Sequence, residues 1–104
     1  MLRGKTAIIT GSTSGIGLGI ALALAKQNAN IVFNGFGDLA AVDALVQDTV
    51  KTYGVKAIYS AADMSKPAEI RAMVKQAEDV FGGVDVLVNN AGIQFTANIE
   101  DFPD

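Results

Sequence analysis

Histidine is absent from the sequence, and this absence narrows the chemistry that the chain can perform. Histidine is the most frequent general base and a very common zinc ligand, so a Ser-His-Asp triad and most zinc sites are excluded. Cysteine is absent as well, which excludes disulfides, thiolate metal sites and a cysteine nucleophile. We therefore expect no metal site, and any reaction must use other side chains.

Positive charge and long apolar runs are also scarce. Eight basic side chains stand against eleven acidic ones, for a net charge of −3, so nucleic acid is not an expected partner. The longest apolar run, residues 20–25, is far shorter than a membrane span. The first residues lack the apolar core of a secretory signal. These features favour a cytoplasmic protein that has no membrane partner.

Two kinds of apolar segment alternate along the chain. Short runs rich in β-branched residues predict strands, and longer segments with apolar residues three or four apart predict helices. The predicted strands cover residues 5–10, 29–34, 55–62 and 84–89, and the predicted helices cover residues 14–27, 38–53 and 65–81. The first helix is apolar nearly all round, so we expect it to be covered on several sides. The fourth strand is almost continuously apolar, which is typical of parallel strands covered on both faces.

Polar and glycine residues mark the expected ends of the second and third helices. Asp38 is the expected N-cap before an apolar stripe that begins at Leu39 and is expected to be buried, and Gly54 is the expected C-cap. Ser65 is the expected N-cap of the third helix, with Pro67 in its first turn.

The order β-α-β-α-β-α-β predicts an α/β protein. Helical crossovers between strands imply a parallel sheet with right-handed connections. We expect the strand order 3-2-1-4, which is the N-terminal half of a doubly wound, Rossmann-like sheet. Residues 98–104 resemble the start of a further helix, so we expect residues 1–104 to form one half domain of a longer protein. The fourth strand, interior in that longer protein, becomes an edge here, and an apolar edge favours self-association.

A glycine-rich turn, Thr10-Gly-Ser-Thr-Ser-Gly-Ile-Gly17, joins the first predicted strand to the first predicted helix. Glycines let the backbone approach an oxygen closely, and a helix start offers unpaired N–H groups and a positive dipole end. It is not a Walker A loop, which requires a lysine after the last glycine. The pattern favours a bound phosphate group, and a purely structural turn is the alternative.

This turn, Asp63 after the third predicted strand and the motif Asn89-Asn-Ala-Gly92 resemble the short-chain dehydrogenase/reductase family along the whole chain. Within that family, residues 34–37, 90–94 and 99–103 resemble the bacterial D-3-hydroxybutyrate dehydrogenases. The resemblance implies a homo-oligomeric oxidoreductase that transfers a hydride between NAD and (R)-3-hydroxybutyrate or acetoacetate. The alternatives are another short-chain reductase, such as a 3-oxoacyl carrier-protein reductase, and a half-fold that binds a dinucleotide without catalysis.

The resemblance also implies which residues bind the cofactor. In such enzymes the glycine-rich turn holds the pyrophosphate, an aspartate accepts a hydrogen bond from the adenine, and the asparagine motif supports the nicotinamide ribose. The implied cofactor-binding residues are Gly11, Thr13, Ser14, Gly15, Ile16, Gly17, Phe36, Asp63, Met64, Asn90, Ala91 and Gly92. From the residues alone, Asp63 is also interpretable as the partner of a helix cap, and residues 90–92 as a structural turn.

The choice of cofactor depends on the loop after the second predicted strand. NADP requires a cation for its 2′-phosphate, and between Gly11 and Ala41 the only basic residue is Lys26, within a helix. We therefore expect NAD, with Phe36 as an apolar wall for the adenosine. The acid that many NAD enzymes carry here is missing, since Asp38 is expected to cap a helix.

The sequence offers one candidate substrate-binding residue and no candidate catalytic residue. The resemblance implies that Gln94 binds the carboxylate of a small hydroxy acid or keto acid, and a polar loop residue is the alternative. The family's Tyr-x-x-x-Lys is not found, because Lys56 follows Tyr53 at the wrong spacing and Asp63 stands four residues after Tyr59. A tyrosine, whose usual pKa is about 10, needs a nearby cation to act as a base near neutral pH. We expect no catalytic residue in this chain and no turnover by it alone.

Overall fold

The computed structural model describes residues 2–13 and 15–90 of the chain. It contains four parallel strands, β1 (Thr6–Ile9), β2 (Asn30–Asn34), β3 (Ala57–Ser60) and β4 (Val86–Val88), and three helices, α1 (Gly15–Lys26), α2 (Leu39–Tyr53) and α3 (Pro67–Phe81). The strands form one sheet in the order β3-β2-β1-β4. The predicted α/β class, the alternation of elements and the strand order are confirmed.

The central strands β1 and β2 carry the core, because their alternate residues face opposite sides of the sheet. On one face, Ile9 and Phe33 are fully buried against α1. On the other face, Ile8 and Val32 are fully buried against Met73 of α3. The sheet is therefore covered on both faces, and the turns that follow the strands gather at its carboxyl edge.

Local sequence sets the ends of the first two helices. Asn28, just after α1, has a φ of 75°, a left-handed value that asparagine tolerates better than most residues. The side chain of Asp38 accepts a hydrogen bond from the backbone N–H of Ala41 at 3.1 Å. Gly54, with a φ of 69°, ends α2 and donates its N–H to the preceding turn. Both predicted caps of α2 are confirmed.

The predicted N-cap of α3 is wrong by one residue. Lys66 is the N-cap residue and its side chain makes no capping hydrogen bond. The hydroxyl of Ser65 is donated to the carboxylate of Asp63 instead. Pro67, which has no N–H to satisfy, opens the helix and makes a side-chain cap less necessary.

Two predictions of burial are also wrong. Ile16, at the start of α1, is 68% exposed because this helix contacts the sheet through its small residues. Leu39 is 71% exposed because it lies beside the outer edge of β3. In the described part of the chain, β4 pairs only with β1, and Leu87 is 56% exposed. Within these residues, the fourth strand is therefore the edge strand expected for this chain.

Asp85 fastens the amino end of β4 to β1. Its carboxylate accepts the backbone N–H of Thr6 at 2.9 Å, and its own N–H donates to the Thr6 carbonyl at 2.9 Å. The register that follows pairs Ile8 with Leu87. These bonds fix the position of the last strand, and with it Asn89 and Asn90.

Candidate functional site

The glycine-rich turn leaves the carboxyl end of β1 and leads directly into α1. In open α/β sheets, ligands bind beyond the carboxyl ends of the strands where the strand order reverses, which here is between β1 and β4. Gly11 and Gly15 both have a φ of 61°, a left-handed value that glycine adopts without strain. The turn thus brings the free N–H groups of a helix start to the edge of the sheet where an anion can bind.

Ser12 fastens this turn to the end of β2. Its side chain is fully buried. Its backbone N–H donates to the carbonyl of Asn34 at 2.6 Å, and its hydroxyl accepts the backbone N–H of Asn34 at 2.9 Å. Two buried hydrogen bonds therefore hold the turn in place against the second strand.

Gly17 lets α1 approach the turn more closely than any side chain would allow. A Cβ atom on Gly17 would lie 2.3 Å from the carbonyl oxygen of Gly11 and 2.5 Å from Nδ2 of Asn90. That Nδ2 atom donates to the same carbonyl oxygen at 3.1 Å. The turn, the first helix and the second residue after β4 therefore meet at one point.

Asn34 ties together the carboxyl ends of three strands. Its side chain is 2% exposed. Its Oδ1 accepts the N–H of Gly11 at 3.3 Å, and its Nδ2 donates to the carbonyls of Ser60 at 3.1 Å and Ala62 at 3.0 Å. A single amide thus connects the glycine-rich turn to the segment that follows β3.

A pocket of about 260 Å³ lies beside the turn, between the segments that follow β2 and β3. It is lined by Gly11, Asn34, Gly35, Phe36, Ala62, Asp63, Met64 and Ser65. Phe36 is 80% exposed, so its ring contributes an apolar face without belonging to the core. The pocket combines such faces with one carboxylate, as sites for small organic molecules generally do.

The segment after β2 is held in place from two sides. The Thr13 hydroxyl donates to the carbonyl of Phe36 at 3.0 Å, and the Tyr59 hydroxyl donates to the carbonyl of Gly35. Gly35 has a φ of 143°, and a Cβ there would lie 2.6 Å from Oγ1 of Thr13. This wall of the pocket therefore depends on glycine at position 35.

Asp63 is held by the residues that start α3. Its Oδ1 accepts the hydroxyl of Ser65 at 2.7 Å and the Ser65 N–H at 2.9 Å, while its own N–H donates to Oε1 of Glu69 at 2.8 Å. The Ser65 hydroxyl, then the Ser65 N–H and the charge of Lys66, hold the pKa of Asp63 below its usual value. Asp63 is therefore ionised near neutral pH, and its Oδ2 accepts no hydrogen bond from the described residues.

Replacing Ser65 with alanine is expected to raise the pKa of Asp63 toward its usual value, because the first of these causes is removed. The hydrogen bonds from Ser65 favour the ionised form of Asp63. Their stabilisation of the folded chain is fully present above the usual pKa of Asp63 and is lost as the pH falls through its lowered pKa. Carboxyl carbon NMR during an acid titration measures this change. Thr52→Ala, which removes an exposed hydroxyl elsewhere, is the control. An unchanged Asp63 titration in Ser65→Ala would contradict the assignment.

The structure brings most of the predicted site residues into one region. Gly11, Phe36, Asp63 and Met64 line the pocket, and Asn90 reaches the turn. The remaining described residues of the prediction, Thr13, Gly15, Ile16 and Gly17, belong to the turn and the start of α1. The predicted residues Ser14, Ala91, Gly92 and Gln94 lie outside the described residues.

Sequence reasoning did not identify three residues that build this region, namely Ser12, Asn34 and Tyr59. Asn34 did leave a signal, since it is a polar residue that ends an apolar strand and precedes a glycine. In the sequence, Ser12 is visible only as a hydroxyl residue of the glycine-rich turn and Tyr59 only as a strand residue. Nothing in the sequence shows that they bond to Asn34 and Gly35.

The described residues contain no group of three acidic side chains placed to hold a metal ion. None of their helices has the length and apolar character that crossing a membrane requires. The hydroxyl of Tyr59 is bonded to a backbone carbonyl, which is a structural role.

Comparison with known sequences gives a consistent result. A profile of the short chain dehydrogenase family matches residues 5–104. D-beta-hydroxybutyrate dehydrogenase of Cupriavidus necator is 60% identical over 103 residues, which are 99% of this chain and 39% of that protein. The enzyme of the same name from Rhizobium meliloti is 52% identical over 95% of this chain and 38% of its own length. The chain thus spans about two fifths of the length of these relatives.

More distant relatives share the same region. A 3-oxoacyl-[acyl-carrier-protein] reductase of Staphylococcus epidermidis is 42% identical over 86% of this chain and 36% of its own length. Among solved structures, L-sorbose reductase from Gluconobacter frateurii, complexed with NADPH and L-sorbose, is similar with a TM-score of 0.79. It is 40% identical in sequence, over 88% of this chain and 34% of that one.

Proposed function

Because the chain belongs to the short-chain dehydrogenase family, we propose that residues 1–104 are the part of an oxidoreductase that binds a nicotinamide adenine dinucleotide. The observation that carries this proposal is the packing of Gly17 on Gly11, which leaves no room for a Cβ atom. This packing holds the start of α1 against the turn, and Gly11 also lines the pocket beside Asp63. The turn and the pocket are therefore one continuous surface.

The residues of this surface fit the two chemical halves of such a cofactor. The N–H groups and dipole at the start of α1 suit the diphosphate, for which we propose contacts from Gly11, Thr13, Ser14 and residues 15–17. We propose that the adenosine occupies the pocket of Phe36 and Met64. The ionised Asp63 carboxylate has Oδ2 available to accept from the adenine amino group.

The other end of the cofactor belongs beside β4. We propose that Asn90, Ala91 and Gly92 support the nicotinamide ribose. A bound nicotinamide dinucleotide supplies the group that accepts or donates a hydride. The residues of this chain bind and orient that cofactor, and we assign them no catalytic role.

NAD is the cofactor that we propose, although the L-sorbose reductase was solved with NADPH. The 2′-phosphate of NADP requires a cation. The segment that follows β2, at the pocket wall, carries Gly35, Phe36 and Gly37, and the next side chain is the acidic Asp38. A 2′-phosphate at this wall would find no positive side chain among residues 35–38 to pair with.

For the protein to which this chain contributes, we propose hydride transfer between NAD and (R)-3-hydroxybutyrate or acetoacetate. The identity to two D-beta-hydroxybutyrate dehydrogenases supports this substrate, and Gln94 is the residue proposed to bind its carboxylate. A 3-oxoacyl carrier-protein reductase is the second candidate, favoured by the 42% identity to such an enzyme. A homo-oligomer and a cytoplasmic location stay predictions from the sequence.

We expect calorimetric titration of the chain to show tighter binding of NAD+ than of NADP+. An assay with 3-hydroxybutyrate and NAD+ is expected to show no turnover, since the chain lacks a Tyr-x-x-x-Lys motif. Binding of neither dinucleotide would contradict the proposed function, and equal or tighter binding of NADP+ would contradict the preference for NAD.

The Phe36→Arg variant sharpens this test. Phe36 is 80% exposed, so the change costs little core packing. A guanidinium beside the 2′-phosphate is expected to raise the affinity for NADP+ about tenfold or more through a charge-assisted hydrogen bond. Leu39→Arg is the matched control, because Leu39 is similarly exposed at 71% and does not line this pocket.

A further inference from the structure

The glycine-rich turn and the adenine pocket are built from segments that are distant in the sequence, and Asn34 is bonded to both. One side of its amide accepts the N–H of Gly11, 23 residues away. The other side donates to the carbonyls of Ser60 and Ala62, which precede the pocket residue Asp63. We propose that Asn34 is a positioning residue that sets the spacing between these two halves of the dinucleotide site. This inference rests on the proposed function.

The bonding pattern requires an amide at this position. Oδ1 must accept from an N–H group, and Nδ2 must donate to two carbonyl oxygens at 3.1 and 3.0 Å. A carboxylate of the same shape keeps the acceptor and loses both donors. It would direct negative charge at two carbonyl oxygens in a site where Asn34 is 2% exposed. Burial and these oxygens would both raise the pKa of an introduced carboxyl group.

Few charged groups surround position 34, so the titration of a carboxyl group introduced there can be followed. Asp63, Lys66 and Glu69 lie around the start of α3, and Tyr59 lies on β3. The described turn residues 10–13 contribute no ionisable side chain. The negative charge of Asp63 adds to the rise in pKa of a carboxyl group introduced at position 34.

The test is the affinity of Asn34→Asp for NAD+ at two pH values. At about pH 8 the introduced carboxylate cannot donate, and we expect binding about tenfold weaker than that of the unsubstituted chain. At about pH 5.5, protonation of the introduced carboxyl group restores one hydrogen-bond donor. We then expect the NAD+ affinity of Asn34→Asp to come closer to that of the unsubstituted chain. A purely structural loss of packing would not recover when the pH is lowered.

Asn30→Asp is the matched control, since Asn30 begins the same strand that Asn34 ends. Its Oδ1 accepts the N–H of Lys56 at 3.0 Å in an exposed position, and a carboxylate keeps that bond. We expect the NAD+ affinity of Asn30→Asp to stay within about twofold of that of the unsubstituted chain at both pH values. A change of this size is smaller than the loss of one hydrogen bond would cause.

A second measurement needs no ligand. In Asn34→Asp, the amide NMR signals of Gly11 and Asp63 are expected to move together as the introduced carboxyl group titrates, and in Asn30→Asp they are not. Unchanged affinity of Asn34→Asp at both pH values overturns the inference and leaves the proposed function standing. A loss of affinity without recovery at lower pH, with both amide signals unmoved, also overturns it. Failure of the unsubstituted chain to bind NAD+ overturns the proposed function and this inference with it.

Discussion

Gly17→Ala is expected to destabilise the chain and to abolish binding of NAD+. The new Cβ would lie 2.3 Å from the carbonyl oxygen of Gly11 and 2.5 Å from Nδ2 of Asn90. The first of these atoms belongs to the backbone, so relief requires α1 to move away from the turn. We expect the free energy of unfolding to fall by about 1–3 kcal/mol or more, as in other overpacked sites. Urea unfolding followed by circular dichroism measures this loss.

Gly19→Ala is the control for this experiment. It lies in the same helix, and a Cβ there would meet no atom within 4 Å outside the adjacent backbone of that helix. Because alanine has a higher helix propensity than glycine, the free energy of unfolding of this variant is expected to rise by up to about 1 kcal/mol. Equal unfolding midpoints for the two variants would show that the close approach at Gly17 does not exist in solution.

Self-association through β4 is the second large effect that we expect. Within the described residues, β4 has one free side, and Leu87 on this strand is 56% exposed. An apolar edge offers unpaired backbone groups to another strand. Burial of Leu87 would contribute about 1.5–3 kcal/mol, so Leu87→Lys is expected to weaken a dimer at least about tenfold. Sedimentation velocity over a range of protein concentrations measures this.

Leu39→Lys separates the effect of the edge strand from that of surface hydrophobicity in general. Leu39 is 71% exposed, but it lies at the start of α2. We expect this variant to associate like the unsubstituted chain. A folded monomer for the unsubstituted chain at high concentration, or equal weakening by both lysines, would refute pairing through β4.

The sequence predicts the order of elements well, because each element carries its own local signal. Buried parallel strands are short continuous apolar runs, and helices repeat their apolar residues every three or four positions. Caps such as Asp38 and Gly54 act on residues within a single turn. Signals that depend only on neighbouring residues are visible without any knowledge of the fold.

Burial is predicted less well, because periodicity identifies an apolar face and does not say what covers it. Ile16 and Leu87 both belong to apolar segments, yet both are largely exposed. The error at Ser65 has a related cause, since its hydroxyl had two possible partners. The Ser65 hydroxyl donates to the carboxylate of Asp63, and the helix begins one residue later than expected, so this hydroxyl does not accept an N–H of α3.

The glycine-rich turn is the part of the candidate site that the sequence reveals, because left-handed backbone after a strand requires glycine. The bonds of Asn34 cannot be found in this way. They join residues 23, 26 and 28 positions apart, and they exist only once three strands lie side by side. Spacing along the chain therefore located the turn, and only the assembled sheet reveals what holds it.

The register of β4 has a consequence for how the protein is made. β1 pairs with β2, and β2 with β3, across 24 and 26 positions of sequence, whereas Asp85 and Asn90 each bond to residues 79 positions earlier. We expect such distant contacts to form late, because closing a long loop costs conformational entropy before the contacts can stabilise the fold. The carbonyl of Gly11 therefore cannot accept its hydrogen bond from Asn90 until synthesis has passed residue 90. The region proposed to bind the coenzyme is begun first and completed last.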